Sequence, residues 1–187
     1  MTILIIFLVL VFLLILYAIG VYNRLVRLRN NREQSFADID VQLKQRHDLI
    51  PQLVDAVKGY MKHEKELLTE LTEARAGAMR ASSIDDKIAA ENRLTGALGG
   101  LKVAVEAYPD LKANQNFMHL QEEISDIENK LAAARRFFNS ATKELNNAIE
   151  VFPANVFAGM FGFKREQMFD LGTEQRATLD QAPKLSF

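Results

Sequence analysis

Three histidines are the first residues that could do chemistry. His47, His63 and His119 are the only histidines in the 187-residue chain, which contains no cysteine. The run His63-Glu64-Lys65-Glu66-Leu67 begins like a zinc-protease helix, but that motif needs a second histidine where Leu67 stands. None of the histidines has a glutamate three residues before it, so the Glu-x-x-His motif of di-iron bundles is also missing. The sequence therefore predicts no metal site.

Motifs for nucleophilic catalysis and phosphate binding are likewise missing from the sequence. It has no Gly-x-Ser-x-Gly run and no glycine-rich loop that ends in Lys-Ser or Lys-Thr. An acidic cluster lies off the apolar face of its helix, as is typical of a solvated surface: Glu122, Glu123, Asp126 and Glu128. We therefore predict that the protein is not an enzyme and has no catalytic residues and no cofactor.

The charge balance argues against nucleic acid as a partner. The chain has 23 basic and 24 acidic residues and a net charge of −1. Non-specific nucleic-acid binding requires a broad basic surface. The one basic pair that stands out, Arg135-Arg136, lacks the interleaved aromatic residues that stack on bases.

The first 22 residues are apolar except for Thr2 and Gly20, and the first charged side chain is Arg24. At ~1.5 Å per residue, Ile3 to Tyr22 would cover ~30 Å, the thickness of the hydrocarbon core of a bilayer. We therefore predict a transmembrane anchor over residues 1–22. The alternatives are a cleaved signal peptide and a buried helix. No basic residue precedes the apolar run, which is also longer than a typical signal core.

Basic residues immediately follow the predicted span. Arg24, Arg27, Arg29 and Arg32 all precede the first acidic residue, Glu33. The positive-inside rule then predicts an outside N-terminus and a cytoplasmic helical domain. These membrane-flanking arginines could also attract anionic headgroups, by ~1 kcal/mol each near the surface.

Apolar residues beyond the span recur at helical spacing. A coiled-coil-like seam runs from Phe36 to Leu71, is interrupted by Arg46 and Glu64, and predicts one helix to about residue 81. A second predicted helix starts after Ser83 and ends at Tyr108-Pro109, where the proline disfavours helical geometry in the residue before it.

A third predicted helix extends from a cap at Asn114 or Asn116 to Phe152 and stops at Pro153. The predicted fold class is all-α: an N-terminal transmembrane helix that continues into a bundle of three long antiparallel helices, plus a short C-terminal helical segment. The predicted domains are a transmembrane anchor at 1–22, a helical bundle at 23–152, and an aromatic-rich short helix with a tail at 153–187.

Residues 151–163 carry no charge and are rich in phenylalanine. Thirteen residues are too few to span a bilayer as a helix. The segment either folds back onto the bundle or presents an exposed apolar patch. For the second case, the candidate residues for self-association or membrane contact are Phe152, Phe157, Phe161 and Phe163.

Several motifs in order resemble the LemA family over about residues 20–160. They are Asp38-Ile39-Asp40-Val41-Gln42-Leu43-Lys44, Arg46, Asp48-Leu49-Ile50-Pro51, Ala74-Arg75-Ala76, Glu106-Ala107-Tyr108-Pro109-Asp110-Leu111-Lys112-Ala113-Asn114 and Ala134-Arg135-Arg136. The chain departs from the family pattern late in the third predicted helix, where Phe138-Asn139 and Leu145-Asn146 stand in place of Tyr-Asn pairs.

The resemblance implies a bacterial inner-membrane protein with one N-terminal span, a short outside N-terminus and a helical domain. The family has no assigned enzymatic activity; some relatives are linked to biogenesis of magnetosome membranes, and others are encoded near membrane proteases. We hypothesise a single-pass scaffold that contacts the lipid bilayer, forms homo-oligomers and organises or remodels membrane. The alternative is a monomeric adaptor that presents a helical surface to another membrane protein, such as a protease.

Overall fold

A computed structural model describes residues 1–61 and 63–169. The described residues contain helices and no strand, which confirms the all-α fold class. The helices are α1 (Thr2–Lys58), α2 (Lys65–Arg80), α3 (Ile84–Val105), α4 (Pro109–Lys112), α5 (Gln115–Glu150) and α6 (Ala154–Met160).

The prediction of one continuous helix to about residue 81 is wrong, because the helix is interrupted between the end of α1 at Lys58 and the start of α2 at Lys65. The carbonyl of Val57 accepts hydrogen bonds from the backbone N–H groups of Tyr60 (3.0 Å) and Met61 (2.9 Å). This turn contains Gly59, whose helix propensity is poor. Met61 is buried in the core. Apolar spacing could not reveal the break, since the three-four alternation continues across it.

The predicted starts of the later helices are confirmed. The Ser83 hydroxyl accepts a hydrogen bond from the Asp86 backbone N–H at 3.1 Å and caps α3. The Asn114 side chain accepts one from the Phe117 N–H, also at 3.1 Å, and so satisfies a donor at the start of α5. α5 ends at Glu150, shortly before Pro153.

The chain divides into two compact units. Unit 1 contains Met1–Ile39 and Ala134–Met168, and unit 2 contains Asp40–Ala133 with Phe169. The boundaries predicted at residues 22 and 152 stay a prediction, and the tail predicted within 153–187 lies largely outside the described residues.

Each unit has its own apolar core. In unit 1 the buried core residues are Val21, Leu25, Leu145, Ala148, Ile149 and Ala158. In unit 2 the core combines residues of α1 to α5, including Ile50, Leu53, Val57, Leu71, Leu94, Leu101, Leu111 and Phe117. Most of the predicted seam residues are thus buried within the chain itself, whereas Tyr60 is exposed: the buried ones are Phe36, Ile39, Leu43, Ile50, Leu53, Val57 and Leu71.

Candidate functional site

The first part of α1 exposes its apolar side chains. Ile3 to Leu16 are all exposed, and α1 is the one helix among the described residues that is long and apolar enough to cross a membrane. A large contiguous apolar surface of this kind is costly in water and favourable in lipid. The span itself stays a prediction, because a signal sequence shares this length and composition.

α6 packs against α1 near the end of this apolar stretch. Ala158 is completely buried, and Phe157 packs beside it in the unit 1 core. The rings of Tyr17 and Phe157 meet edge to face at 5.6 Å between centroids, and those of Tyr22 and Phe161 at 5.1 Å. The segment therefore folds back, as one of the two alternatives predicted.

The remaining side of the same segment stays exposed. Phe152 is 78% exposed and Met160 is 75% exposed, and Val151, Val156 and Phe161 are exposed as well. The segment thus combines both predicted properties: one side packs on α1 and the other presents apolar side chains. We refer to the exposed residues Val151, Phe152, Val156, Met160 and Phe161 as the apolar edge.

The four predicted membrane-flanking arginines do not share one environment. Arg24, Arg27 and Arg29 are exposed. The Arg29 guanidinium lies 5.6 Å from the ring centroid of Phe163, a cation–π arrangement that links it to the segment after α6. Arg32 is only 4% exposed.

Arg32 holds the chain that follows α6. Its Nε donates to the Thr142 hydroxyl at 3.2 Å, its Nη2 donates to the Gln167 carbonyl at 3.1 Å, and its Nη1 lies 3.1 Å from a Glu166 carboxylate oxygen. The guanidinium also stacks over Phe138, 4.9 Å from the ring centroid. Arg32 therefore forms its polar contacts within unit 1. A contact between this buried side chain and lipid headgroups is not supported.

Asn146 completes this attachment. Its side-chain amide donates to the Glu166 carbonyl at 2.9 Å and accepts from the Glu166 backbone N–H at 2.8 Å. A pair of hydrogen bonds in which one side-chain amide both donates and accepts fixes the position and the orientation of the backbone that it contacts. Sequence reasoning missed this role, because the Leu145-Asn146 pair stands out in the sequence only as a departure from the family pattern.

Unit 2 contains a buried ionic cluster formed by residues of α1 and α3. One member, Arg46, is the residue that interrupts the apolar seam in the sequence. Arg46 and Glu91 are each 1% exposed and form a salt bridge. His47 Nε2 lies 2.6 Å from the other Glu91 carboxylate oxygen, and Arg46 Nη1 donates to the Thr95 hydroxyl at 3.3 Å. A basic residue within an apolar seam was the one available signal for this site.

The cluster favours an ionised Glu91. Burial by itself raises the pKa of Glu91, but the hydrogen bond with His47 and the charges of Arg46 and His47 outweigh it and lower the pKa below its ordinary value. Both carboxylate oxygens are occupied by these partners, so the group is not placed to act as a base on a substrate. Within residues 1–61 and 63–169, no group of three or more His, Cys, Asp or Glu side chains could hold a metal ion.

A helical body attached to an exposed apolar helix defines the class: a membrane-associated helical protein. The LemA family model matches residues 35–187, and the chain belongs to the LemA family. The resemblance seen in the sequence motifs is confirmed.

Individual relatives agree with this assignment. Protein LemA of Metamycoplasma hominis is 27% identical over 166 residues, which cover 87% of this chain and 74% of the relative. Magnetosome protein MamQ of Magnetospirillum gryphiswaldense is 24% identical over 174 residues, and Magnetosome protein MamQ 2 of Paramagnetospirillum magneticum is 23% identical over 174 residues. These two alignments cover 79% of this chain and 64% of each magnetosome protein, slightly less than two thirds.

Proposed function

We propose that this chain is a non-enzymatic, membrane-anchored helical scaffold that self-associates and organises or remodels the bacterial membrane. One observation carries the proposal: the exposed apolar stretch of α1 continues without a break into the packed helix of unit 1. Movement of the anchor is thereby coupled to the helical body, because no flexible linker separates Tyr22 from the buried Leu25.

The proposed location is the bacterial inner membrane, with a single span. The exposed Arg24 and Arg27 follow the apolar stretch, and the positive-inside rule puts them on the cytoplasmic side. The N-terminus is then outside and the helical domain cytoplasmic. The burial of Arg32 leaves this argument intact, since it depends on the position of the basic residues in the chain.

Self-association is supported by surface that the chain leaves uncovered, rather than by the seam. The apolar seam residues from Phe36 to Val57 are buried within the chain, whereas Phe137 on α5 is exposed in unit 1, as are Ile3 to Leu16 of α1. Exposed aromatic and aliphatic side chains of this size are common at interfaces between protein copies. The names of two relatives, which describe magnetosome proteins, fit a role in the organisation of membrane.

The oligomeric state of the full chain tests this proposal. Detergent-extracted protein would be examined by size-exclusion chromatography with light scattering and by negative-stain electron microscopy. We expect discrete assemblies, and we expect Phe137→Ser to shift their distribution towards monomer. The matched control is Val103→Ser, an exposed apolar position in unit 2. A uniform monomer population would contradict the scaffold, and a monomer bound to one stoichiometric membrane protein would support the adaptor instead.

A further inference from the structure

The apolar edge lies at the depth where α1 would leave a bilayer. Phe157 of α6 contacts Tyr17, and Phe161, directly after α6, contacts Tyr22, the last residue of the apolar stretch. Five residues separate the two tyrosines, which at ~1.5 Å per residue gives ~7.5 Å along the helix axis. Interfacial helices bury their apolar faces by a similar amount, about 5–10 Å below the headgroups.

The composition of this segment matches an interfacial element. Residues 151–163 include no charged side chain; Asn155 is an exposed polar side chain, and the exposed large side chains are aliphatic, aromatic or Met. Both acidic residues that flank it are paired: Glu150 with Arg165 at 2.7 Å and Glu166 with Arg32 at 3.1 Å. The segment therefore brings no unpaired flanking carboxylate to a membrane surface.

The charges around the segment favour lipid over a second copy as its partner. Arg29 on α1 lies over Phe163, Lys164 directly follows Phe163 in the chain, and Arg24 follows the apolar stretch of α1; all three are exposed. Two copies that met through this surface would bring like charges together, whereas anionic headgroups would complement them. Phe161, a member of the apolar edge, contacts Tyr22, so the apolar edge adjoins the surface of α1 that lipid is proposed to cover.

We infer that the apolar edge is a second, shallow membrane contact, which inserts Phe152, Met160 and their neighbours into the leaflet where the span ends. The ligand is the lipid interface, with anionic headgroups held by the surrounding basic residues. This inference rests on the anchor in the proposed function and deepens it. An insertion limited to one leaflet gives the scaffold a direct means of acting on membrane shape, which a span alone does not provide.

Site-specific labelling tests this contact, because the chain has no native cysteine. Met160→Cys, and as a second position Phe152→Cys, would carry an environment-sensitive fluorophore in the full chain, reconstituted in vesicles of phosphatidylcholine and phosphatidylglycerol. Leu8→Cys reports on the anchor, and Val103→Cys is the control at a similarly exposed position of unit 2. Nitroxide-labelled lipids, with the nitroxide near the headgroup or deep in the acyl chain, measure the depth of each label.

We expect blue-shifted emission at residues 152 and 160, with quenching by the shallow nitroxide several-fold stronger than at residue 103. Equal quenching at residues 160 and 103, with a deeply quenched label at residue 8, would overturn the shallow contact alone. An unquenched label at residue 8 would overturn the anchor and the proposed function with it. Protection of residue 160 that appears only at high protein-to-lipid ratio would assign the surface to a second copy and refute the lipid contact.

Discussion

The Arg75 side chain on α2 donates a hydrogen bond from Nε to the backbone carbonyl of His47 at 2.6 Å. His47 is four residues before Pro51, which lies inside α1 and has no N–H to offer that carbonyl. Arg75 therefore replaces the helical hydrogen bond that the proline removes. The same carbonyl thus links two motifs that are distant in the sequence. Asp48-Leu49-Ile50-Pro51 contains the proline that removes its helical donor, and Ala74-Arg75-Ala76 contains the arginine that replaces this donor.

Replacement of Arg75 should destabilise the helical domain through this carbonyl. We expect Arg75→Met to lower the free energy of unfolding by about 1–3 kcal/mol, since a partly buried carbonyl would lose a charged donor. Chemical denaturation in mild detergent, followed by circular dichroism, would measure it. The control is Arg80→Met on the same helix, because Arg80 Nε donates to Ala76 within its own helix.

A double-mutant cycle with Pro51→Ala would isolate the interaction. Alanine restores an N–H at position 51, so the His47 carbonyl regains a helical partner and Arg75→Met should be less destabilising in that background. An identical effect of Arg75→Met in both backgrounds would show that Arg75 acts through something other than this carbonyl.

Loss of one member of the buried ion pair should be far more harmful than loss of both. We expect Glu91→Met or Arg46→Met to destabilise the folded chain by about 3–5 kcal/mol, because each leaves a buried charge without its partner. The double variant should be less destabilised than either single variant, as measured by the same denaturation assay. Lys112→Met, which removes an exposed pair with Glu106, is the control and should have little effect. Additive single effects would contradict a coupled pair.

The Glu91 cluster should make stability depend on pH at the acidic end. The pKa of Glu91 is lower in the folded chain than its ordinary value. Its contribution is therefore fully present above the unfolded pKa, about 4.3, and is lost as the pH falls through the folded pKa. Denaturation midpoints measured from neutral to acidic pH should fall less steeply for Glu91→Gln than for wild type. The exposed Glu128→Gln should keep the wild-type slope; a Glu91→Gln profile parallel to wild type would contradict the assignment.

Arg32 should stabilise the structure of residues 164–168, which follow α6. We expect Arg32→Met to increase amide hydrogen exchange at residues 164–168, since three polar contacts from this side chain to Thr142, Glu166 and Gln167 would be lost. Hydrogen exchange with mass spectrometry would measure this in detergent or nanodiscs. Arg27→Met, five residues earlier on α1 and exposed, is the matched control. Unchanged exchange in Arg32→Met would show that Asn146 alone suffices to hold the segment.

The orientation of the span has a direct test. We expect a thiol reagent that does not cross membranes to label Thr2→Cys in intact cells, and to label Val103→Cys only after the cells are opened. The physical reason is the excess of arginine directly after the apolar stretch. Labelling of Val103→Cys in intact cells would reverse the proposed topology.

The sequence by itself determined the all-α class, the apolar N-terminal stretch, the starts of α3 and α5 and the approximate end of α5. These features depend on local chemistry: helical spacing of apolar residues, the Ser83 and Asn114 caps and the stop at Pro153. The family followed from ordered motifs that a single chain can display.

Tertiary structure decided which polar residues meet, and here sequence reasoning failed. The position of Arg32 in the sequence predicts a membrane-flanking charge, but its side chain is buried. It contacts Thr142 and Gln167, each more than a hundred residues later in the chain. In the sequence, Arg46 is only an interruption of an apolar seam. The packing of α3 against α1 brings Glu91 to it as its salt-bridge partner. Spacing along one helix shows which face a side chain occupies; it carries no information about the group that another helix places opposite.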